Sequence, residues 1–196
     1  VGAVRLHWYE IKGKRILWVP LFAANDKESV VRTIHQLTAS SFPEGAPVIG
    51  VLNNRQDRGR RAELFAELVA EELSPYLDHV LTMGAYEDAV THAIVDGGYP
   101  AERVHALGET VRPSLEDILE TIAGLVPGDS GVLIGMVNIH TEQAELLINH
   151  FQDLTGVEHR DHLDESRQPK RAPRGVARLQ TAATRAGRTT DEGGAR

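Results

Sequence analysis

The sequence contains no cysteine and no long apolar run. Without thiols the chain can form no disulfide and can offer no thiolate ligand to a metal. No apolar run is long enough to cross a bilayer as a helix. Disulfide scaffolds and cysteine-ligated zinc domains are therefore excluded.

Motifs that would mark a self-contained nucleotide site or a nucleophilic enzyme are also missing. The chain has no GxxxxGK[ST] phosphate loop and no G-x-G-x-x-G after a strand, so any bound nucleotide must receive its main phosphate contacts elsewhere. No Ser-His-Asp or Cys-His constellation stands out. His140 and His150 do not match the H-E-x-x-H spacing, so we expect no metal site.

Charge and composition divide the 196 residues into two parts. The net charge is −7, but the part before about Gly156 is acidic and the remainder is Arg-rich and basic. We predict a folded domain over 1–156 and a disordered tail over 157–196, where large apolar residues are too scarce to repay the entropy of ordering. The tail has no interleaved aromatic residues for stacking, so we expect no nucleic-acid partner.

Strand and helix patterns alternate along the predicted domain. Two strands joined by Lys12-Gly13-Lys14 predict an N-terminal antiparallel hairpin. The strands are predicted over 4–11, 15–22, 47–52, 79–83, 103–106 and 131–137, and the helices over 28–38, 64–73, 87–96, 113–125 and 141–151. This order predicts an α/β fold with a Rossmann-like, doubly wound, mostly parallel sheet.

Ligands of such sheets bind beyond the carboxyl ends of the strands. Four segments with polar residues follow apolar strands directly, and we expect them to lie near one another. They are 22–29, 53–61, 83–87 and 138–142. Their convergence is stronger evidence for a site than any one of them.

The turn at 22–29 joins a buried strand to a helix. Asn25, Asp26 and Ser29 are turn and N-cap residues, and the unpaired N–H groups of a helix start suit an anionic ligand. An ordinary capped helix explains the same residues, and capping is common. The sequence leaves both interpretations open.

Arginines cluster in 53–61, just past a buried strand. Four arginines, Arg55, Arg58, Arg60 and Arg61, could form forked contacts with carboxylates or phosphates, with Asp57 orienting one of them. Exposed charges at a helix start are the alternative, but basic residues oppose the helix dipole there. After the last strand, we hypothesise that His140 contacts the substrate.

Four blocks in this order carry a family resemblance: FAANDKES, GVLNNRQDRGRRAELFAEL, GAYEDAV and GVLIGMVNIHTEQAELL. Together they resemble the C-terminal half of the poly-γ-glutamate synthase ligase subunit, a capsule-type enzyme of the Mur ligase superfamily. The resemblance covers 4–151. It implies a fold of the Mur ligase C-terminal domain type.

The resemblance also implies roles for individual residues. FAANDKES stands where the superfamily has D-G-A-H-N-P-x-S, which puts Asn25 and Asp26 at catalytic and nucleotide-binding positions and Ser29 at a nucleotide-binding one. NRQDRGRR stands where amino-acid-adding members have G-D-R-D-x-G-K-R, and GMVNIH where they have G-K-G-H-E. The implied substrate-binding residues are Arg55, Asp57, Arg58, Arg61 and Asn138.

The activity implied by the resemblance is ATP-dependent amide ligation. ATP phosphorylates the γ-carboxylate of a growing glutamate chain, and the amino group of the next glutamate attacks the acyl phosphate. The phosphate loop and Mg²⁺ ligands of such enzymes lie in an upstream domain that this chain lacks, so we expect it to be inactive alone. The implied partners are glutamate, poly-γ-glutamate and small membrane subunits, which would hold a cytoplasmic enzyme at the inner face of the membrane.

A different class of function fits the same sequence. A non-catalytic doubly wound module, used for binding or as a scaffold, could have kept the fold and lost the ligase chemistry. The missing phosphate loop favours this module if the chain is complete. The strand pattern directly after Val1, with no initiating methionine, favours a fragment of a ligase instead.

Overall fold

In the computed structural model, residues 6–21, 26–108, 113–137 and 143–152 are described. They form six strands: β1 (His7–Ile11), β2 (Lys14–Pro20), β3 (Val48–Asn54), β4 (His79–Gly84), β5 (Val104–Ala106) and β6 (Ser130–Val137). They also form five helices: α1 (Lys27–Ser40), α2 (Gly59–Leu68), α3 (Glu87–Asp96), α4 (Leu115–Gly124) and α5 (143–152).

The strands build one mixed sheet in the order β1-β2-β6-β3-β4-β5. β1 pairs with β2 in antiparallel orientation around the turn at Lys12 and Gly13, and every other neighbouring pair is parallel. The α/β class, the mostly parallel sheet and the N-terminal hairpin predicted from the sequence are confirmed. β6 lies between β2 and β3, so the last strand fills the centre of the sheet.

Both faces of the sheet are covered by helices. Side chains of α1, α2 and α3 pack with alternate residues of β3 such as Val48 and Leu52. The intervening residues Ile49 and Val51 pack on the opposite face with α4 and α5. This two-sided burial explains why β3 reads as a continuous apolar run rather than an alternating one.

Aromatic side chains contribute to both cores. Phe65 of α2 is buried on one face, while Trp18 of β2 stacks on Phe151 of α5 on the other, with ring centroids 4.5 Å apart. Trp8 lies on the edge strand β1 and is partly exposed, with the Arg15 guanidinium 4.8 Å from its ring centroid. The aromatic side chains thus serve core packing on both faces and packing at the edge of the sheet.

Several element ends differ from the sequence-based expectation, and those of β3 and α2 lie closest to the predicted arginine segment. β3 continues through Asn53 and Asn54, two residues beyond its predicted end, because both still pair with β4. α2 ends at Leu68 but continues as a π-helical turn, Val69–Leu73, before Pro75. Asparagine is typical of turns, so only the neighbouring strands reveal that it extends this one.

Several predictions concern residues outside the described ranges. They include the tail over 157–196, the turn residues 22–25 and the segment 138–142, so the proposed domain boundary stays a prediction. Among the helices that are described, none combines the length and apolar character that a membrane crossing requires.

Candidate functional site

The parallel strands end together at one edge of the sheet. Asn53 pairs with Met83 of β4 and with Val137 of β6, and Pro20 of β2 pairs with Gly135 of β6. The segments that follow β3 and β4 therefore leave the sheet side by side. This is the edge where ligands of α/β sheets bind.

Three contacts join these two segments directly. The Ala85 N–H donates to the Asn54 carbonyl oxygen at 2.9 Å, and the Tyr86 hydroxyl donates to the Gln56 carbonyl oxygen at 2.6 Å. The Tyr86 ring also lies against Gly59, the first residue of α2. The expected convergence of 53–61 with 83–87 is thus observed.

The arginine cluster begins with a forked ion pair. The Nε and Nη2 atoms of Arg55 donate to the two carboxylate oxygens of Asp57, both at 2.9 Å. Arg58 reaches the same carboxylate with its Nε 3.7 Å from Oδ2. One carboxylate therefore fixes one guanidinium and attracts a second, as expected for a group that orients arginines toward an anion. Binding of that anion stays a prediction.

The start of α2 concentrates positive charge. Arg58 is its N-cap residue and makes no side-chain capping bond, and the first turn contains no acidic residue. The Arg61 guanidinium carbon lies 5.6 Å from the centroid of the Phe65 ring, and partial burial together with the charge of Arg58 lowers the pKa of Arg61. The positive end of the helix dipole adds to these charges, so the region attracts anions.

The start of α1 is built differently. The Asp26 carboxylate accepts a hydrogen bond from the Ser29 N–H at 2.8 Å, which makes Asp26 the N-cap. Hydrogen bonds from the backbone and side chain of Ser29 lower the pKa of Asp26. The capping function that the sequence left open for Asp26 is therefore observed, and its catalytic or nucleotide-binding role stays a prediction.

The described contacts place this cap away from the arginines. Lys27 lies 2.6 Å from Glu72, which belongs to the π-helical turn after α2. Glu72 is separated from Gly59 by roughly 20 Å along the helix, at about 1.5 Å per residue. Within the described ranges, Asp26 and Ser29 thus lie toward the far end of α2 and not beside Arg55.

Two consecutive buried asparagines end β3. Asn53 is fully buried and has an interaction partner within the fold. Asn54 is 1% exposed, and neither its Oδ1 nor its Nδ2 atom has a hydrogen-bond partner in the described part of the chain. Leaving a buried amide unpaired costs about 1–3 kcal/mol, and no hydrogen bond within the described ranges offsets this cost for the Asn54 side chain.

Backbone geometry in the segment after β4 is unusual. Gly84 has φ +86°, and a Cβ atom there would lie 2.3 Å from the Asn54 carbonyl oxygen. Tyr86 has φ 62°, in the left-handed region that non-glycine residues rarely adopt. Glu87 is buried and accepts a hydrogen bond from the Gly108 N–H at 2.9 Å, which ties this segment to the end of β5.

A cavity of about 280 Å³ lies between the starts of α2 and α3. Its walls are mostly apolar, and Arg60, Glu63 and Tyr86 are the large polar residues that line it. The ranges described contain no group of three or more His, Asp or Glu side chains placed to hold a metal ion.

Of the predicted site residues, the structure brings Arg55, Asp57 and Arg58 together and places Arg61 one turn further on. Asn25, Asn138 and His140 lie outside the described residues. Asn54 and Tyr86 were not predicted. Both lie within the predicted segments 53–61 and 83–87, but the sequence did not specify that these two side chains belong to the site.

The fold and the site define an α/β domain with an anion-attracting carboxyl edge beside a central parallel strand. Residues 6–154 match the family described as "Poly-gamma-glutamate synthase CapB C-terminal domain", and the chain belongs to this family. It is 26% identical over 159 residues to the "Capsule biosynthesis protein CapB" of Bacillus anthracis. That alignment covers 74% of this chain but 33% of the relative, so the chain spans about one third of the relative's length. The predicted resemblance to the poly-γ-glutamate synthase is thus confirmed.

Proposed function

We propose that this chain is the C-terminal, glutamate-binding part of an ATP-dependent amide ligase that polymerises glutamate through γ-amide bonds. The observation that carries the proposal is the Arg55–Asp57–Arg58 cluster at the carboxyl edge of the sheet, in a chain of the poly-gamma-glutamate synthase CapB C-terminal domain family. Glutamate and its polymer are rich in carboxylates, and forked guanidinium contacts suit them.

In the proposed reaction, the terminal γ-carboxylate of the polymer attacks the γ-phosphorus of ATP and forms an acyl phosphate with release of ADP. The amino group of the next glutamate then attacks the acyl carbon. Phosphate leaves, the nitrogen loses a proton, and a γ-amide bond remains. This chemistry needs orientation and charge neutralisation rather than a protein nucleophile, and arginines supply both.

The proposal divides the nucleotide site between two parts of the synthase. The chain contains no phosphate-loop motif, and its described residues do not fit a metal site, so we assign the phosphates of ATP and the Mg²⁺ ion to an upstream part. We further propose that the domain is of the Mur ligase C-terminal type and closes over that part. Asn25, Asp26 and Ser29 are the proposed nucleotide contacts, and Asn138 and His140 are further substrate contacts.

The proposed partners follow from the same family. Membrane subunits of the synthase would hold the enzyme at the cytoplasmic face of the cell membrane, where the polymer is made. We propose no nucleic-acid partner, since the basic tail lacks interleaved aromatic residues. Co-purification of this chain with membrane fractions, lost when the other synthase subunits are deleted, tests this placement.

Hydroxylamine trapping tests the reaction. Acyl phosphates react with hydroxylamine to form hydroxamates, so a synthase containing this chain should convert γ-glutamyl oligomers into γ-hydroxamates and release ADP and phosphate. Release of AMP and pyrophosphate instead would contradict the acyl-phosphate route. Polymer synthesis that continues at the normal rate after removal of this chain would favour the non-catalytic scaffold module.

A further inference from the structure

The carboxamide of Asn54 is a buried polar group without hydrogen bonds in the described ranges. Its backbone is fixed, because it pairs with Gly84 in β4 and its carbonyl oxygen accepts from the Ala85 N–H. Its side chain is 1% exposed, with no hydrogen-bond partner for either polar atom in the described ranges. The fold thus holds this amide in place without satisfying it.

The position of the side chain follows from strand alternation. Asn54 lies on the same face of β3 as Val48 and Leu52, the face that α2 covers. Its neighbour across the β3–β4 pairing is Gly84, which has no side chain to donate or accept a hydrogen bond. α2 begins five residues further on with its group of arginines. Asn54 therefore lies at the carboxyl edge of the sheet, on the face that α2 covers.

A carboxamide presents one acceptor and two donors side by side. A simple anion would pair with Nδ2 and leave Oδ1 unsatisfied, whereas a cation would do the reverse and be repelled by the arginines. An amino acid offers an N–H group and a carboxylate on the same α-carbon, and these can face a carboxamide together. That unit satisfies both atoms of Asn54 at once.

We propose that Asn54 binds the two groups on the α-carbon of the incoming glutamate. Its Oδ1 atom accepts a hydrogen bond from the amino group, and its Nδ2 atom donates one to the α-carboxylate. The arginines at the start of α2 then hold the side-chain carboxylate. This inference rests on the proposed function and adds a specificity-determining residue to it. Asn54 would orient the nitrogen that attacks the acyl phosphate.

Glutarate separates this role from general anion binding, because it keeps two carboxylates but lacks the amino group. Leu has the same branching as Asn without its polar atoms, so Asn54→Leu removes only the hydrogen bonds. In the full-length synthase we expect Asn54→Leu to raise the KM for glutamate about tenfold or more and the inhibition constant of glutarate by a clearly smaller factor, because glutarate loses only the contact with Nδ2 and has no amino group to lose at Oδ1. Arg55→Lys should raise both constants together.

Stability provides a second readout that does not depend on activity. In the 196-residue chain, Asn54→Leu should leave the melting temperature unchanged or raise it, because it removes an unsatisfied polar group. Asn53→Leu is the matched control, and it should lower the melting temperature because it leaves the partner of Asn53 without its contact. Asn54→Ala repeats the kinetic test if leucine is not accommodated.

Three outcomes would overturn the proposed role of Asn54. A fall in melting temperature for Asn54→Leu as large as that for Asn53→Leu would show a structural partner and overturn the inference. Unchanged glutamate kinetics in both Asn54 variants, with a defect in Arg55→Lys, would overturn the inference and leave the proposed function standing. Normal glutamate kinetics in the Asn54 and Arg55 variants alike would overturn both.

Discussion

The N-termini of α1 and α2 differ in their capping and in the charge of the side chains around them. At α1, Asp26 caps the helix and Glu28 places a negative charge in the first turn. These side chains satisfy a backbone N–H group and complement the positive end of the helix dipole. At α2, the cap position and the first turn carry arginines, and the strand before it ends in an unsatisfied amide. A helix start that serves only the fold is expected to resemble α1. The contrast supports the proposal that the start of α2 gives up local stability in order to hold an anion.

Of the substitutions that test this comparison, Arg55→Lys should have the largest effect, and the effect should be on glutamate binding. Lysine keeps the charge but loses the forked geometry seen with Asp57, so we expect the KM for glutamate to rise about tenfold or more, a loss of roughly 1.4 kcal/mol. The KM for ATP should change much less. Steady-state kinetics of the full-length synthase measure both constants.

Arg103→Lys is the matched control for that experiment. Arg103 is exposed and directly precedes β5, at the opposite end of that strand from the carboxyl edge, so the substitution should leave both KM values near those of the unmodified enzyme. A rise in the KM for ATP with Arg55→Lys, and none for glutamate, would assign the cluster to the nucleotide phosphates instead.

Removal of the cap at α1 should have an intermediate effect, on stability. Asp26→Ala leaves the Ser29 N–H without its acceptor, so the melting temperature of the chain should fall by a few degrees. Asp26→Ser retains a capping oxygen and should recover most of the loss. If Asp26→Ser restores stability but polymer synthesis stays low, the carboxylate has the additional role proposed for it.

Reversing the charge at matched positions of the two helices should change the free energy of unfolding by a smaller amount and in opposite directions. Glu28 and Arg60 are each the second residue of their helix. Arg60→Glu should raise the free energy of unfolding by about 0.3–1 kcal/mol and Glu28→Arg should lower it by a similar amount, because only negative charge favours a helix start. Urea denaturation at low and high salt measures both, and the two shifts should shrink as salt increases.

The smallest expected effect is the pH dependence of the α1 cap. The pKa of Asp26 is lower in the folded state than its ordinary value of 3.8, so its contribution to stability is fully present above that value. It is lost as the pH falls through the folded-state pKa. The difference in melting temperature between the unmodified chain and Asp26→Asn should therefore disappear in acid, and a constant difference at every pH would contradict the argument.

Much of the fold follows from local sequence patterns. The hairpin around Gly13 and the cap at Asp26 depend on residues close in the chain, so turn and capping preferences predict them. The doubly covered sheet follows from apolar strands alternating with amphipathic helices. Ser114 likewise begins α4 with a capping box to Asp117, which is only three residues further along the chain.

The site was only partly predictable, because its geometry depends on contacts between distant segments. The arginine cluster was identified because Asp57 is two residues from Arg55 and could be paired from sequence alone. The sequence predicts Asn54 in a loop, because its burial depends on the register of β3 against β4, which no local pattern reveals. The left-handed backbone of Tyr86 carried no signal, because tyrosine rarely adopts it.

The backbone contact at Gly84 constrains how this domain can change. A Cβ at this position would collide with the Asn54 carbonyl oxygen, and the positive φ adds strain for any other residue. Position 84 therefore cannot contribute a side chain to the proposed ligand site. A mutational library that tests this site should keep the glycine and vary the arginine side of the edge and the segment beyond Ala85.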